Sequence, residues 1–220
     1  MGALTHLTLL ASVWILYAAI HSILASGTCK TWFQRHFPKG FRAYRLTFNL
    51  GSILLLIPPL WLLLAYPGEP LWQWPDVAGW LLNIAALAAV AGFFTTLGSY
   101  DMAEFIGTRQ LADRRTSVND QAPMGLSWAH RFVRHPWYFF GLVIIWTREM
   151  NAALLLSAVI LTLYLVVGSR LEEKKLVLLY GDTYRRYMQR VPGLIPRPWR
   201  YLRRSQVQEI LASKKPLSPQ

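Results

Sequence analysis

From Ala3 to Ser26 the chain contains no Asp, Glu, Lys or Arg, and that feature constrains the fold more than any other. A helix rising about 1.5 Å per residue covers the roughly 30 Å of bilayer hydrocarbon in such a run. In lipid its backbone groups must be satisfied within the segment, so it reads as a transmembrane helix. A cleavable signal peptide would need a basic start and a shorter apolar core. The first Lys or Arg is Lys30, so a permanent span is expected.

Further apolar runs follow the same logic. Leu46 to Tyr66 forms a second span, with a kink expected at Pro58-Pro59 because a helix-interior proline lacks an N–H and crowds the preceding turn. Val77 to Ser99 forms a third, rich in Ala and Gly and suited to close helix packing. Trp137 to Gly168 is interrupted by Thr147-Arg148-Glu149. Its length fits two short antiparallel helices and a polar turn, or one span with a re-entrant segment. Composition agrees: 54% of residues are hydrophobic and 15% charged, where soluble domains carry about 25% charged. The expected fold is therefore all-α: a polytopic membrane bundle of about five transmembrane helices, the last two a hairpin, followed by a cytoplasmic helical segment. Residues 1–204 read as one membrane domain with a core at 100–196, and 205–220 as a polar, mobile tail.

The placement of cations orients this bundle. Five Lys or Arg lie between Lys30 and Arg45, five between Arg109 and Arg134, and twelve from Arg170 to Lys215. Only Arg148 falls on the other side, so 22 of 23 cations share one face, which positive-inside statistics make cytoplasmic. The N-terminus is then outside and the C-terminus cytoplasmic. Trp61, Trp72, Trp74 and Trp80 form an aromatic belt at the outer interface. The net charge of +12 follows from topology and anionic lipid, so no nucleic-acid partner is expected. One cysteine, Cys29, excludes an intramolecular disulfide, and no close Cys/His spacing suggests a metal.

The chemistry must lie on the cytoplasmic face. Tyr100 to Pro136 is dense in ionisable groups, which are costly beside lipid unless they pair or bind something. Arg114, Arg115, Asn119 and Asp120 read as a solvated loop. Arg134-His135-Pro136-Trp137-Tyr138 instead opens a membrane helix, with Pro136 at its first position. Free N–H groups there favour an anion, Arg134 adds a bidentate fork, and Trp137 and Tyr138 offer π-faces to a cation. A snorkelling arginine among interfacial aromatics is the plainer alternative. Glu172-Glu173 follows the last apolar run directly, far from the helix start that would favour acids, with Lys174 and Lys175 as surface partners if the pair is only structural. Gly181 reads as a terminator, Asp182 as the cap of a helix over Thr183 to Arg190, and Val191-Pro192 as its stop. Tyr180, Tyr184 and Tyr187 share one face, where packing suffices for the last two.

In order, Arg134-His135-Pro136-x-Tyr138, Glu172-Glu173-x-x-Leu176-x-x-x-x-Gly181-x-x-Tyr184-x-x-Tyr187, Val191-Pro192 and Ile195-Pro196 form a signature. It resembles the isoprenylcysteine carboxyl methyltransferase superfamily of integral membrane enzymes and covers the chain from about His130 to Pro196. His21-Ser22-x-x-Ala25-Ser26 and Tyr100-Asp101-x-x-x-Phe105-x-Gly107-x-Arg109-Gln110 are similar to the branch holding methanethiol S-methyltransferases, nurim and NnrU proteins. The resemblance implies S-adenosylmethionine as cofactor. It assigns His135, Tyr138 and the Glu172-Glu173 pair to the cofactor pocket, with Arg134 and Glu173 near the transferred methyl. Beside these, Gln110 and Tyr184 are expected to contact the cofactor, and His21, Arg109 and Trp137 the acceptor.

The implied function is methyl transfer to a small or lipophilic acceptor, foremost a thiol, entering from membrane lipid or cytoplasm. The alternative is a nurim- or NnrU-like scaffold that supports assembly of a respiratory or nitrogen-oxide enzyme without catalysis. A haem protein using His21 and His135 is a third reading. Oligomeric state leaves no trace in the sequence.

Overall fold

A computed structural model describes residues 2–113 and 125–212. Arg114, Arg115, Asn119 and Asp120, expected in a solvated loop, and the chain from 213 onward lie outside the described residues.

In chain order the elements are α1 (Ala3–Ala25), α2 (Gly27–His36), a 3-10 turn (Phe41–Ala43), α3 (Tyr44–Ala65), β1 (Pro70–Trp72), α4 (Asp76–Leu97), α5 (Met102–Ile106) and α6 (Thr108–Ala112). After a second 3-10 turn (Trp128–Arg131) come α7 (Pro136–Trp146), β2 (Met150–Asn151), α8 (Ala152–Tyr180), α9 (Asp182–Arg190) and α10 (Arg204–Ala212). Four helices are long and apolar enough to cross a membrane: α1, α3 with its 3-10 start, α4 and α8. Their outward residues, such as Ile15, Leu54, Leu64, Ile84 and Leu87, are exposed. A helix apolar all round finds its solvent in lipid.

Two expectations change in detail. The fifth apolar segment, α7, has 11 residues, about 16 Å of helix, so its length alone does not cross the hydrocarbon. Its partner α8 has 29 residues and runs without interruption through Glu172-Glu173 to Tyr180. Gly181 ends α8 at φ +56°, and Asp182 is the first residue of α9 rather than its cap. Pro58 and Pro59 both lie inside a helix assigned without a break.

The described residues divide into two compact units: Met1–Trp74 with Tyr100–Gln121 and Glu149–Leu161, and Pro75–Ser99 with Ala122–Arg148 and Thr162–Gln220. In the first, Leu10 and Trp14 of α1, Leu62 of α3 and Ala153 of α8 form the core. The Trp14 indole donates to the Ser157 hydroxyl at 2.9 Å, which keeps a buried N–H satisfied. At the α5–α6 corner Gly107 has φ +102°, and a Cβ there would stand 2.7 Å from the Leu46 nitrogen. Only glycine allows that backbone approach. Asn49 completes the corner by donating to the carbonyls of Phe105 and Ile106.

In the second unit α4 packs on α7, with Ala89, Ala129 and Phe140 buried together. Tyr184, Tyr187, Val191, Leu202 and Ile210 make a separate core. Part of the segment expected as a mobile tail is thus ordered, because Val207 and Ile210, three residues apart on α10, give it an apolar face that packs there.

Candidate active site

The site grows from the first residues of α7. Pro136 occupies the first helical turn and His135 is the N-cap, without a capping side-chain hydrogen bond. The backbone N–H groups of Arg134 and His135 donate to the carbonyls of Pro192 and Gly193 at 2.9–3.1 Å. This ties the helix start to the loop after α9.

Arg134 and Glu173 meet across this junction. Arg134 donates through Nε to Glu173 Oε1 at 2.7 Å, and its Nη2 stands at the same distance from that oxygen. Nη1 donates to the carbonyls of Met188 and Val191. Both side chains are only 12% exposed, so each requires the other. Gly193 roofs the pair: a Cβ there would lie 3.4 Å from Arg134 Nη2 and 3.8 Å from Glu173 Oε1.

His135 completes the cluster. Its Nε2 lies 3.0 Å from Glu173 Oε1 and its Nδ1 3.3 Å from Glu172 Oε2, with 4% of the side chain exposed. Burial disfavours the imidazolium, yet hydrogen bonds and charge from the two carboxylates hold the pKa above its ordinary value. Tyr138 stacks on His135 at 5.3 Å and donates to Glu172 Oε2 at 3.3 Å. Glu172 itself keeps 48% of its side chain open, so the cluster presents one accessible carboxylate beside an uncapped helix start.

The other predicted residues sort by unit. Tyr184 is buried in the α9 core; burial, then the Glu173 charge, raises its pKa. Trp137 donates its indole N–H to Thr96 on α4 at 2.8 Å. Gln110, Arg109 and His21 belong to the first unit. There Gln110 donates to the Glu104 carbonyl and carboxylate, and its buried Oε1 lacks a hydrogen-bond partner. Arg109 pairs with Asp101 at 2.5 Å, and His21 packs against Tyr17 and Phe48.

Four supporting residues escaped sequence reasoning. Ser127 and His130 form a reciprocal cap on the 3-10 turn before α7: His130 Nδ1 accepts from the Ser127 N–H at 3.1 Å and lies 2.7 Å from its hydroxyl. Burial, with the neighbouring His135 next, lowers the His130 pKa to about 4, as an accepting imidazole requires. Capping boxes are normally recognised by Glu or Gln at the third helical position, and a histidine there hides the signal. Thr96, fully buried, and Gly193 carry no local pattern.

Long apolar helices and a buried ionic cluster at a helix mouth define an integral membrane protein with a preorganised polar site. The comparisons with known proteins identify its kind. The chain is 33% identical over 186 residues to methanethiol S-methyltransferase 2 of Bradyrhizobium diazoefficiens, covering 83% of this chain and 70% of that one. It is 33% identical over 188 residues to methanethiol S-methyltransferase of Pseudomonas sp. (strain GM41(2012)), covering 83% and 70%. It is 32% identical over 202 residues to the Mycobacterium tuberculosis enzyme of that name, covering 84% and 76%. No family model matches the chain, and no solved structure does. The chain belongs to the methanethiol S-methyltransferase family, in the isoprenylcysteine carboxyl methyltransferase-like branch. It is a membrane methyltransferase, and these enzyme names do not favour the non-catalytic scaffold.

Proposed function

We propose that the protein methylates a small thiol, with methanethiol the first to test, at the cytoplasmic end of α7 and α8, using S-adenosylmethionine. The observation that carries this reading is the Arg134–Glu173–His135 cluster, which is buried, joined by short polar contacts and beside the half-open Glu172. That donor set fits the cofactor. An uncapped helix start with Arg134 suits a carboxylate, Glu172 suits an ammonium or ribose hydroxyls, and the Tyr138 face suits a sulfonium. When bound, the cofactor supplies an electrophilic methyl on sulfur.

The chain's own residues then align and exclude water. Glu173 already accepts from Arg134 and His135, so it orients both side chains, and the Arg134 guanidinium favours the thiolate over the thiol. The proton leaves to water. Holding the thiolate in line with the methyl can account for about 7–11 kcal/mol of barrier lowering. We read Tyr184 as a further cofactor contact and Trp137 as part of the acceptor side, both in the unit that holds the cluster. In the same reading α7 and α8 form the hairpin of a five-helix bundle in a bacterial inner membrane, with the N-terminus outside.

Calorimetric titration of the detergent-purified protein with S-adenosylhomocysteine, with methanethiol turnover followed as dimethyl sulfide, tests the proposal. Saturable binding and turnover are expected. An absence of both overturns it.

A further inference from the structure

The loop that roofs the Arg134–Glu173 pair continues into a strap with an unusual surface. Two anchors fix it. At one end Val191 is fully buried in the α9 core. At the other Leu202 is equally buried, donates its N–H to the Arg131 carbonyl and accepts from Arg131 Nε, both at 2.9 Å.

Between these anchors three large side chains, Ile195, Trp199 and Tyr201, are left exposed. Ile195 is 72% exposed and Trp199 76%. Tyr201 is also exposed and stacks on exposed Phe132 at 6.1 Å. Arg131 lies over the other ring of that stack, 5.4 Å from the Phe132 centroid. Fixed backbone with outward tryptophan, tyrosine and isoleucine is not explained by folding, because those side chains gain no burial.

Charge complements the rings. Between Asp182 and Glu209 there are seven arginines and no acid, and Arg197, Arg203 and Arg204 are exposed beside the aromatic residues. Phe132 precedes Pro136, the first residue of apolar α7, by only four positions, so if α7 enters the bilayer at Pro136 the ring stacked on Tyr201 lies near its interface. Aromatic rings with flanking arginines at that level suit lipid headgroups, the rings at the acyl boundary and the guanidiniums on phosphate.

We propose that the strap from Val191 to Leu202 is a docking surface for anionic phospholipid, which Ile195, Trp199 and Tyr201 enter while Arg197, Arg203 and Arg204 bind headgroup phosphates. The inference rests on α7 entering the bilayer at Pro136. It adds a lipid requirement to the ordering of the loop that holds Arg134, because that loop and the strap are one stretch of chain.

The test uses the full chain with Cys29→Ser and Trp199→Cys, labelled with an environment-sensitive bimane and placed in nanodiscs of phosphatidylcholine with or without phosphatidylglycerol. Quenching by headgroup-level spin-labelled lipid should be at least twofold stronger with phosphatidylglycerol, should fall at high salt, and should lose its lipid dependence in R197Q/R203Q/R204Q. A label on Leu142→Cys, quenched by deep spin labels, reports α7 separately. Quenching at 142 with none at 199, or equal quenching in both lipids, overturns the docking surface. Failure at 142 overturns the placement of α7 on which the docking surface rests. Shielding of the 199 label in lipid-free detergent overturns the proposal in favour of a protein cover.

Discussion

Trp137 donates its indole N–H to Thr96 Oγ1 at 2.8 Å, and that hydroxyl, fully buried on α4, in turn donates to the Phe93 carbonyl at 2.7 Å. The chain Trp137–Thr96–Phe93 fixes an aromatic ring at the first turn of α7 through a helix distant in sequence. Removing Thr96 Oγ1 strands the indole N–H in an apolar setting, a loss of about 1–3 kcal/mol. Thr96→Val should lower the melting temperature of the detergent-purified protein, while Thr96→Ser, which keeps the hydroxyl, should restore it. Equal melting of the two variants would show that the bond contributes nothing.

Glu173 is the single acceptor shared by Arg134 and His135. Glu173→Gln keeps the shape and removes the charge, so hydrogen bonds worth about 1.5–3 kcal/mol with an ionised partner are weakened, roughly 10- to 150-fold in an equilibrium. S-adenosylhomocysteine affinity should fall within that range and dimethyl sulfide production at least as far, which titration and headspace chromatography measure. Arg134 is a different case, because it also ties down the carbonyls of Met188 and Val191. Arg134→Ala should therefore cost stability as well as activity, and Arg134→Lys should recover the first more than the second, since an ammonium cannot reproduce the fork.

The two histidines ahead of α7 give opposite pH dependences. His130 sits at about 4 in the fold against an ordinary 6.5, so the folded chain binds fewer protons and stability falls as pH drops from about 6.5 toward 4. Protonation would also remove the Nδ1 acceptor that Ser127 uses. His135 is held above its ordinary value, so its contribution is complete below 6.5 and is lost as pH rises through the raised pKa. His130→Asn should flatten the acid limb of melting temperature against pH. His135→Asn should remove stability at neutral and acid pH and leave the alkaline end least changed.

These positions show which parts of the protein are legible in its sequence. Spans announce themselves because uncharged runs in α1, α3 and α4 follow from lipid alone. The pairing of Arg134 with Glu173 is 39 positions apart and emerges only through the motif order, since no local periodicity links a helix mouth to a helix end. His130 reads as one more cytoplasmic histidine until its ring is seen closing the cap on Ser127. The interruption at Thr147-Arg148-Glu149 marks the turn after α7, which ends at Trp146, but not the length of α8, which runs on past the apolar sequence to Tyr180. The tail deceives because Val207 and Ile210 are too few to signal a helix before Tyr184 and Tyr187 are known to face them.

Gly92 on α4 lies against Phe140 of α7. A Cβ at this position would stand 2.8 Å from the Phe140 ring, nearer than carbon atoms tolerate, and the ring is itself buried between Ala89 and Ala129. Packing in membranes depends on such small residues because lipid offers no hydrophobic drive to bring helices together. Gly92→Val should force the helices apart, at a cost of about 1–3 kcal/mol for overpacking, and shift the start of α7 with the residues it carries. Phe140→Leu placed in the same chain should relieve part of the loss. Double-mutant melting temperatures and S-adenosylhomocysteine affinity measure both effects, and strict additivity of the two substitutions would show that the contact does not couple the helices.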